Sequence, residues 1–256
     1  EIHSTFERTR RMESRIIIER GVLSRLRSLD LNPLKHALSP HFILTDQGTD
    51  VRFGGIILEE LTAAGFAVHK LVMPSGESSK NMKEYLALAD QILSHGLDEG
   101  SILISLGGGV VNNMAGFLAA TLYRGIGLIH IPTTTMAQLD AAIDFKQAVN
   151  SPKGKNLIGA YYPASTIVID PEALRTLPER HIRNGLAEAL KHGLAQDISL
   201  YEFFAGYRGP LNDIGFLEDA TRKTLLLKTP LLSGDTTNEY NEVVPQYGHC
   251  VGHAVE

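Results

Sequence analysis

The apolar positions of this chain follow two rhythms. Short runs, Arg15-Ile16-Ile17-Ile18, His41-Phe42-Ile43-Leu44-Thr45-Asp46, Ala67 to Met73, Ile102 to Leu106, Leu128-Ile129-His130-Ile131 and Thr166-Ile167-Val168-Ile169-Asp170, are too short for helices and rich in β-branched side chains, which predicts buried strands. Between them, residues 51–65, the stretch from Lys80 to about His95, and the segment after Gly109 have helical spacing, the last with Met114, Phe117, Leu118, Thr121 and Leu122 on one face. Gly21 to about Leu38 also reads as helical, interrupted near Asn32-Pro33. Ser78 or Ser79 is the expected cap of the helix that follows Pro74-Ser75-Gly76-Glu77. Alternation of this kind predicts a doubly wound α/β sheet of parallel strands. Beyond Pro171 the short runs stop, and 172–177, 179–196, 198–206 and 214–233 all read as helices. An α/β domain over 1–170 followed by a mostly helical domain over 171–256 is therefore expected.

Composition narrows the class of function. With 256 residues, 43% of them hydrophobic and 21% charged, the chain has the make-up of an ordinary globular protein with a substantial core. A net charge of −5 and the lack of a long basic block argue against nucleic acid as the main partner. No apolar run is long enough to span a bilayer. A single cysteine, Cys250, cannot form an internal disulfide and fits a reducing compartment, so the cytoplasm is expected. The chain starts at Glu1 and ends at Glu256 inside a helix-like stretch, which suggests a piece of something longer.

Candidate chemistry concentrates between Leu103 and Asn156. Gly107-Gly108-Gly109 separates a strand from a helix. Glycines there let backbone N–H groups approach a ligand closely, and the helix start adds partial positive charge, the arrangement that holds a pyrophosphate. Pro132-Thr133-Thr134-Thr135 places hydroxyls at the C-terminal end of the next strand, where ligands of parallel sheets sit. Asp46 ends a strand as does the acid that bonds an adenosine ribose, although alone it reads as a helix cap. Asp140, Asp144, Lys146, Asn150, Lys153, Lys155 and Asn156 then crowd together as a site for a polar, anionic small molecule. Further on, Glu188 and Lys191 share a helix face, which by itself reads as a surface ion pair. His249 and His253 are spaced to face one metal ion, with Glu188 available as an oxygen donor from another helix.

Taken in order, the glycine triplet, Tyr123-Arg124-Gly125, Ile131-Pro132-Thr133-Thr134, Asp140-x5-Lys146, Gly154-Lys155-Asn156, Gly185-Leu186-Ala187-Glu188-x-x-Lys191 and Gly248-His249-x-x-Gly252-His253-Ala254 resemble the dehydroquinate synthase superfamily, the sugar phosphate cyclases. The likeness covers residues 70–256 well and the first 70 in outline. It implies a Rossmann-like NAD-binding domain followed by a helical metal-binding domain, and a homodimer. Asp46, Glu77, Lys80, Gly108, Gly109, Thr133, Thr134, Thr176 and Leu177 would line the NAD site. Glu188 and His249 would bind a catalytic zinc or cobalt ion, with a third ligand past Glu256. Arg124, Asp140, Lys146, Lys155, Asn156, Lys191, Lys228 and His253 would surround the sugar phosphate. The family's reaction oxidises a sugar hydroxyl transiently with NAD, eliminates phosphate, returns the hydride and closes a carbocycle by an aldol step.

Three departures bear on the substrate. The family's Gly-Gly-Lys-Thr is here Asp144-Phe145-Lys146-Gln147, and the Asp that ends the glycine motif is Asn113. Glu242 stands where dehydroquinate synthases carry an arginine for the substrate carboxylate, and an acid there would repel a carboxylate. Lys146-Gln147-Ala148-Val149-Asn150 and Tyr247-Gly248-His249 most resemble 2-deoxy-scyllo-inosose synthases, which cyclise glucose 6-phosphate, although Gln246 replaces their Glu. A valiolone-type synthase acting on sedoheptulose 7-phosphate stays open, as does 3-dehydroquinate synthase. From other classes, an iron-type alcohol or glycerol dehydrogenase would share the fold, NAD and metal but not the lysine cluster. A non-catalytic homologue would be expected to have lost Glu188, Lys191 or His249.

Overall fold

The computed structural model describes residues 13–31, 38–233 and 246–248, and the expectations for Glu242, His249 and His253 lie outside them. Eight strands follow in chain order: β1 (Arg15–Ile18), β2 (His41–Asp46), β3 (Val68–Met73), β4 (Ile102–Gly107), β5 (Gly127–Pro132), β6 (Lys146–Ser151), β7 (Gly154–Tyr161) and β8 (Thr166–Ile169). Six of them form one all-parallel sheet in the order β1-β8-β5-β4-β2-β3.

Alternate side chains leave a strand on opposite faces, and both faces of this sheet are covered. Phe42, Leu44 and Leu103 meet Leu88 and Ile92 of α3 (Met82–Ser94) and Met114 and Leu118 of α4 (Gly109–Thr121). Ile43, Ile102 and Ile104 meet Leu23 and Leu26 of the 3-10 helix Val22–Ser28 and Ile57 and Leu61 of α2 (Gly55–Ala63). This two-faced burial explains why the strands read as near-continuous apolar runs.

Several local expectations are corrected. The helix expected from residue 51 begins earlier: α1 (Gln47–Thr49) runs through a π-helical turn, Asp50–Gly54, into α2. Gln47-Gly48-Thr49-Asp50 contains no apolar residue, so periodicity misses it, and the Asp46 carboxylate starts the helix instead. Asn81, not Ser78 or Ser79, caps α3, its Oδ1 accepting from Glu84 N at 3.0 Å. Ser79 sits in a 3-10 turn and donates to Gly76 O. Helix after Gly21 is confined to Val22–Ser28 among the described residues.

The largest addition falls between Asp140 and Tyr161. No element is read there from the sequence, and the chain forms an antiparallel hairpin of β6 and β7. Gly116 of α4 admits it: a Cβ there would lie 2.2 Å from Gln147 Oε1. After β8 and a 3-10 turn, Pro171–Thr176, come α5 (Glu179–Ala195), α6 (Ile198–Gly206) and α7 (Ile214–Ser233). Ile182, Leu186, Phe216 and Leu217 pack with Leu139 and Leu174 in a core of their own. Gly185 brings α5 against the sheet's C-terminal edge, where a Cβ would lie 2.4 Å from Met136 N. No helix among the described residues is long and apolar enough to cross a membrane.

Candidate active site

From β2 the chain crosses to β3, and from β4 it crosses the other way to β5. The C-terminal ends of β2 and β4 therefore part around a crevice, where ligands of open parallel sheets bind. A cleft of about 1560 Å³ begins there and extends along the β6–β7 hairpin to the start of α5. All nine residues expected at the NAD site line it: Asp46, Glu77, Lys80, Gly108, Gly109, Thr133, Thr134, Thr176 and Leu177.

The floor at this end is made of backbone. Helix α4 starts at Gly108 with no side-chain cap, and Gly109, Val110 and Val111 of its first turn face the cleft, so its unbonded N–H groups stand where an anion can reach them. A Cβ on Gly108 would lie 3.0 Å from Thr134 Cγ2, and one on Gly109 would lie 3.2 Å from Ala141 Cβ. Glycine keeps this floor open. Asp46 is both a helix cap and a cleft wall: Oδ1 accepts from Gly48 N at 2.8 Å and Ser75 Oγ at 2.7 Å, and Oδ2 from Thr49 Oγ1 at 2.9 Å.

The hairpin supplies the opposite wall, with Lys146, Gln147, Lys155 and Asn156 on the cleft. Lys146 is half exposed, its Nζ 3.9 Å from Asp144 Oδ2. Lys80 is buried and donates to Asn156 Oδ1 at 2.5 Å. Burial pushes the Lys80 ammonium below the usual lysine range, the Glu77 carboxylate works against that, and the Lys155 charge adds to it.

Behind the wall lies a compact set of charges. Asp140 lines the cleft and accepts from Lys228, which is 1% exposed. Burial alone would lower the lysine's pKa, and the carboxylates of Asp140, Asp144 and Glu188 outweigh it and raise it. Glu188 and Lys191 are ion-paired with side-chain exposures of only 9% and 10%, which corrects the surface-pair reading. Burial disfavours the Glu188 charge, but His192, Lys191 and Lys228 overcome it and hold the carboxyl well below its usual range. His192 Nε2 stands 3.4 Å from Glu188 Oε1.

Arg124 is not brought to this cleft. It stands exposed on the turn after α4, at the far end of a 13-residue helix whose first turn forms the floor, about 20 Å away. Conversely, Arg52, Arg180, His181 and Asn184 line the cleft, and none of them stands out in the sequence. Arg180 and His181 follow Pro178 and Glu179 in the first turn of the helix that carries Glu188.

The residues present suit the groups such a cleft takes. An open glycine floor under a helix start suits a dinucleotide pyrophosphate, and a buried, ionised carboxylate such as Glu188 suits a divalent cation. Among the described residues no group of three or more His, Cys, Asp or Glu converges, so of the two expected metal ligands Glu188 is the one with a described environment.

Fold and cleft together define an open, doubly wound α/β protein whose crevice continues into a lysine-bearing extension. Residues 70–184 match the model of the 3-dehydroquinate synthase N-terminal domain. The chain is 40% identical over 216 residues to 3-dehydroquinate synthase of Desulforamulus reducens, covering 84% of this chain and 60% of that protein. It is 36% identical over 244 residues to the enzyme of Pelobacter propionicus, covering 94% of this chain and 67% of that protein. Among solved structures it resembles ValA, a 2-epi-5-epi-valiolone synthase from Streptomyces hygroscopicus with NAD+ and Zn2+ bound, with TM-score 0.88, 26% identity, and coverage of 99% of this chain and 70% of that one. It also resembles a 2-deoxy-scyllo-inosose synthase complexed with carbaglucose-6-phosphate, NAD+ and Co2+, with TM-score 0.81, 26% identity, and coverage of 94% and 66%. The chain belongs to the dehydroquinate synthase family, and it spans about 60% of the length of the first of these relatives.

Proposed function

We propose that the protein is a sugar phosphate cyclase that works with NAD and a divalent metal, zinc or cobalt, on a neutral sugar phosphate, glucose 6-phosphate first among them. The observation that carries this reading is one continuous cleft joining the glycine floor and Asp46 at one end to Lys146, Lys155 and Asn156 at the other. When bound, NAD supplies transient oxidation at a sugar carbon and the metal a Lewis acid beside it. The N–H groups of the first turn of α4 hold the dinucleotide's pyrophosphate, and the Asp46 carboxylate its adenosine ribose. Lys146 and Lys155 neutralise the phosphate as it departs, worth most in a site closed to water. Glu188, kept ionised by Lys191 and Lys228, holds the metal, with His249 as a second ligand. Lys228 also fixes Asp140 at the cleft wall, where the carboxylate orients sugar hydroxyls.

The neutral substrate rests on Glu242 in place of a carboxylate-binding arginine, and is supported by the likeness to an enzyme complexed with carbaglucose-6-phosphate. A second reading, 3-dehydroquinate synthase, is favoured by the names of the relatives at 40% and 36% identity. The test is phosphate release by the full-length protein with NAD and zinc or cobalt, from glucose 6-phosphate, sedoheptulose 7-phosphate and the keto acid phosphate of dehydroquinate synthase in parallel. Release from glucose 6-phosphate without net NADH is expected. Release from the keto acid alone would establish the second reading, and NADH accumulating from a simple alcohol without phosphate release would overturn both. Glu188→Ala should abolish turnover while leaving NAD binding intact, and near-normal activity would remove Glu188 from the metal site.

A further inference from the structure

Asn150 does not line the cleft, yet it touches both halves of it. Its Nδ2 donates to Glu77 Oε1 at 2.7 Å, and its backbone N donates to Lys80 O at 2.8 Å. Its Oδ1 accepts from Asn156 N at 2.9 Å. Asn156 in turn accepts from Lys80 Nζ, closing a ring of three residues, Asn150, Asn156 and Lys80, across the cleft wall, with Glu77 tied to it through Asn150. Asn156 has φ +55°, a left-handed conformation that asparagine adopts more readily than other non-glycine residues. The Asn150 carboxamide holds it there by binding the Asn156 N–H directly.

We propose that Asn150 is a positioning residue that couples the cofactor half of the cleft to the phosphate half. One carboxamide uses its donor on the loop bearing Glu77 and Lys80 and its acceptor on the start of β7, which bears Lys155 and Asn156. Each half is thus ordered only when the other is in place, so a ligand that orders one half prepares the other. The proposal deepens the cyclase reading and rests on it for the identity of the two ligands.

The polarity of the Asn150–Glu77 bond makes it testable by reversal. Asn150→Asp keeps the acceptor for Asn156 N but sets a carboxylate against Glu77. In a Glu77→Gln background the carboxylate introduced by the same substitution can accept from the new amide. NAD affinity of the full-length protein should fall about tenfold for Asn150→Asp alone and less than about threefold when it is added to Glu77→Gln. In Asn150→Ala, the KM values for NAD and for sugar phosphate should both rise, though the residue contacts neither ligand. Amide exchange over 76–82 and 148–158 should quicken in the same variant without any ligand present.

A loss of NAD affinity that is equal in both backgrounds would overturn the coupling, as would unchanged exchange in Asn150→Ala. A wild-type protein that binds no NAD would overturn the cyclase reading and the coupling to that cofactor. Faster exchange in both segments would then identify the failure as one of the ligand, not of the tie.

Discussion

The two ends of the cleft are built in opposite ways. At the cofactor end the wall is backbone and small side chains: Gly108, Gly109, Thr133 and Thr134 at strand ends, with a helix start for charge. Behind the wall at the far end are long charged side chains folded inward, Lys228 on Asp140 and Lys191 on Glu188, each facing an opposite charge. The first kind of wall fails when an atom is added. The second fails when an atom is removed, because the surviving partner is left as an uncompensated charge.

Removing Lys228 should therefore be the most damaging single change. Lys228→Met keeps the volume of a fully buried stem but leaves Asp140 unpaired, and about 3 kcal/mol of stability should be lost in denaturant unfolding. Adding Asp140→Asn should restore much of it, since the orphaned charge goes with it. A loss under about 1 kcal/mol, or no recovery in the double variant, would show that this end does not depend on mutual neutralisation.

Adding atoms probes the contrast from the other side. Gly185→Ala would place a Cβ 2.4 Å from Met136 N and 2.6 Å from Thr135 Cβ, and backbone cannot swing away as a side chain does. Overpacking of this kind costs about 2 kcal/mol and should lever α5, with Glu188, off the sheet edge. At the floor, Gly108→Ala meets only the Thr134 side chain, its methyl at 3.0 Å, so stability should hold while NAD affinity falls about tenfold. Thermal unfolding and NAD titration on the same two variants separate the effects, and a Gly108→Ala protein that binds NAD normally would show that the floor is not where the dinucleotide lies.

The same contrast decides what the residues alone reveal. Buried parallel strands need near-continuous apolar runs, and the glycines and threonines at their ends are there because only small residues fit, so the sheet and the cofactor end are legible. The hairpin is not. Its second strand turns Leu157 and Ile158, 62% and 38% exposed, outward, so its apolar pattern runs opposite to its burial. Nor does spacing show that Glu188 and Lys191 are buried, because an i,i+3 pair looks identical on a surface and under three packed helices. Arg124 belongs to the family's motifs and still stands a helix length away from the cleft that Gly108, Gly109, Thr133, Thr134, Lys155 and Asn156 line.

Acid should loosen the two ends in different windows. At the cofactor end, His130 of β5 is fully buried, bonded through Nδ1 to Ser105 Oγ, which also accepts from Asn112 Nδ2. Burial lowers its pKa to about 3 from 6.5. The unfolded chain thus takes up the proton first, so stability is complete above pH 6.5 and declines as pH falls toward 3. Between pH 7 and about pH 5.5 this one histidine should remove about 1.3 kcal/mol, and His130→Gln should flatten the decline by that amount. Glu188, whose folded pKa is depressed, contributes stability that is lost only below its unfolded value of 4.5. A decline above about pH 5.5 that persists unchanged in His130→Gln would place the acid-sensitive group elsewhere.

The smallest effect tests the join between the two ends. Asn81 follows directly on Lys80, with Oδ1 accepting from Glu84 N at 3.0 Å and Nδ2 donating to Ser78 O at 2.7 Å. It therefore caps α3 and ties the Glu77–Ser79 turn to that cap with one side chain. Asn81→Ala should cost about 1 kcal/mol as a lost cap, and Asn81→Ser should recover most of that, since a hydroxyl can still accept from Glu84 N. A serine is too short to hold Ser78 O as well, so the turn that carries Glu77 should stay loose in Asn81→Ser although the helix is restored. NAD affinity reduced in both variants while stability recovers in one would show that Asn81 serves the cleft beyond capping its helix. Affinity that simply tracks stability would reduce it to a cap.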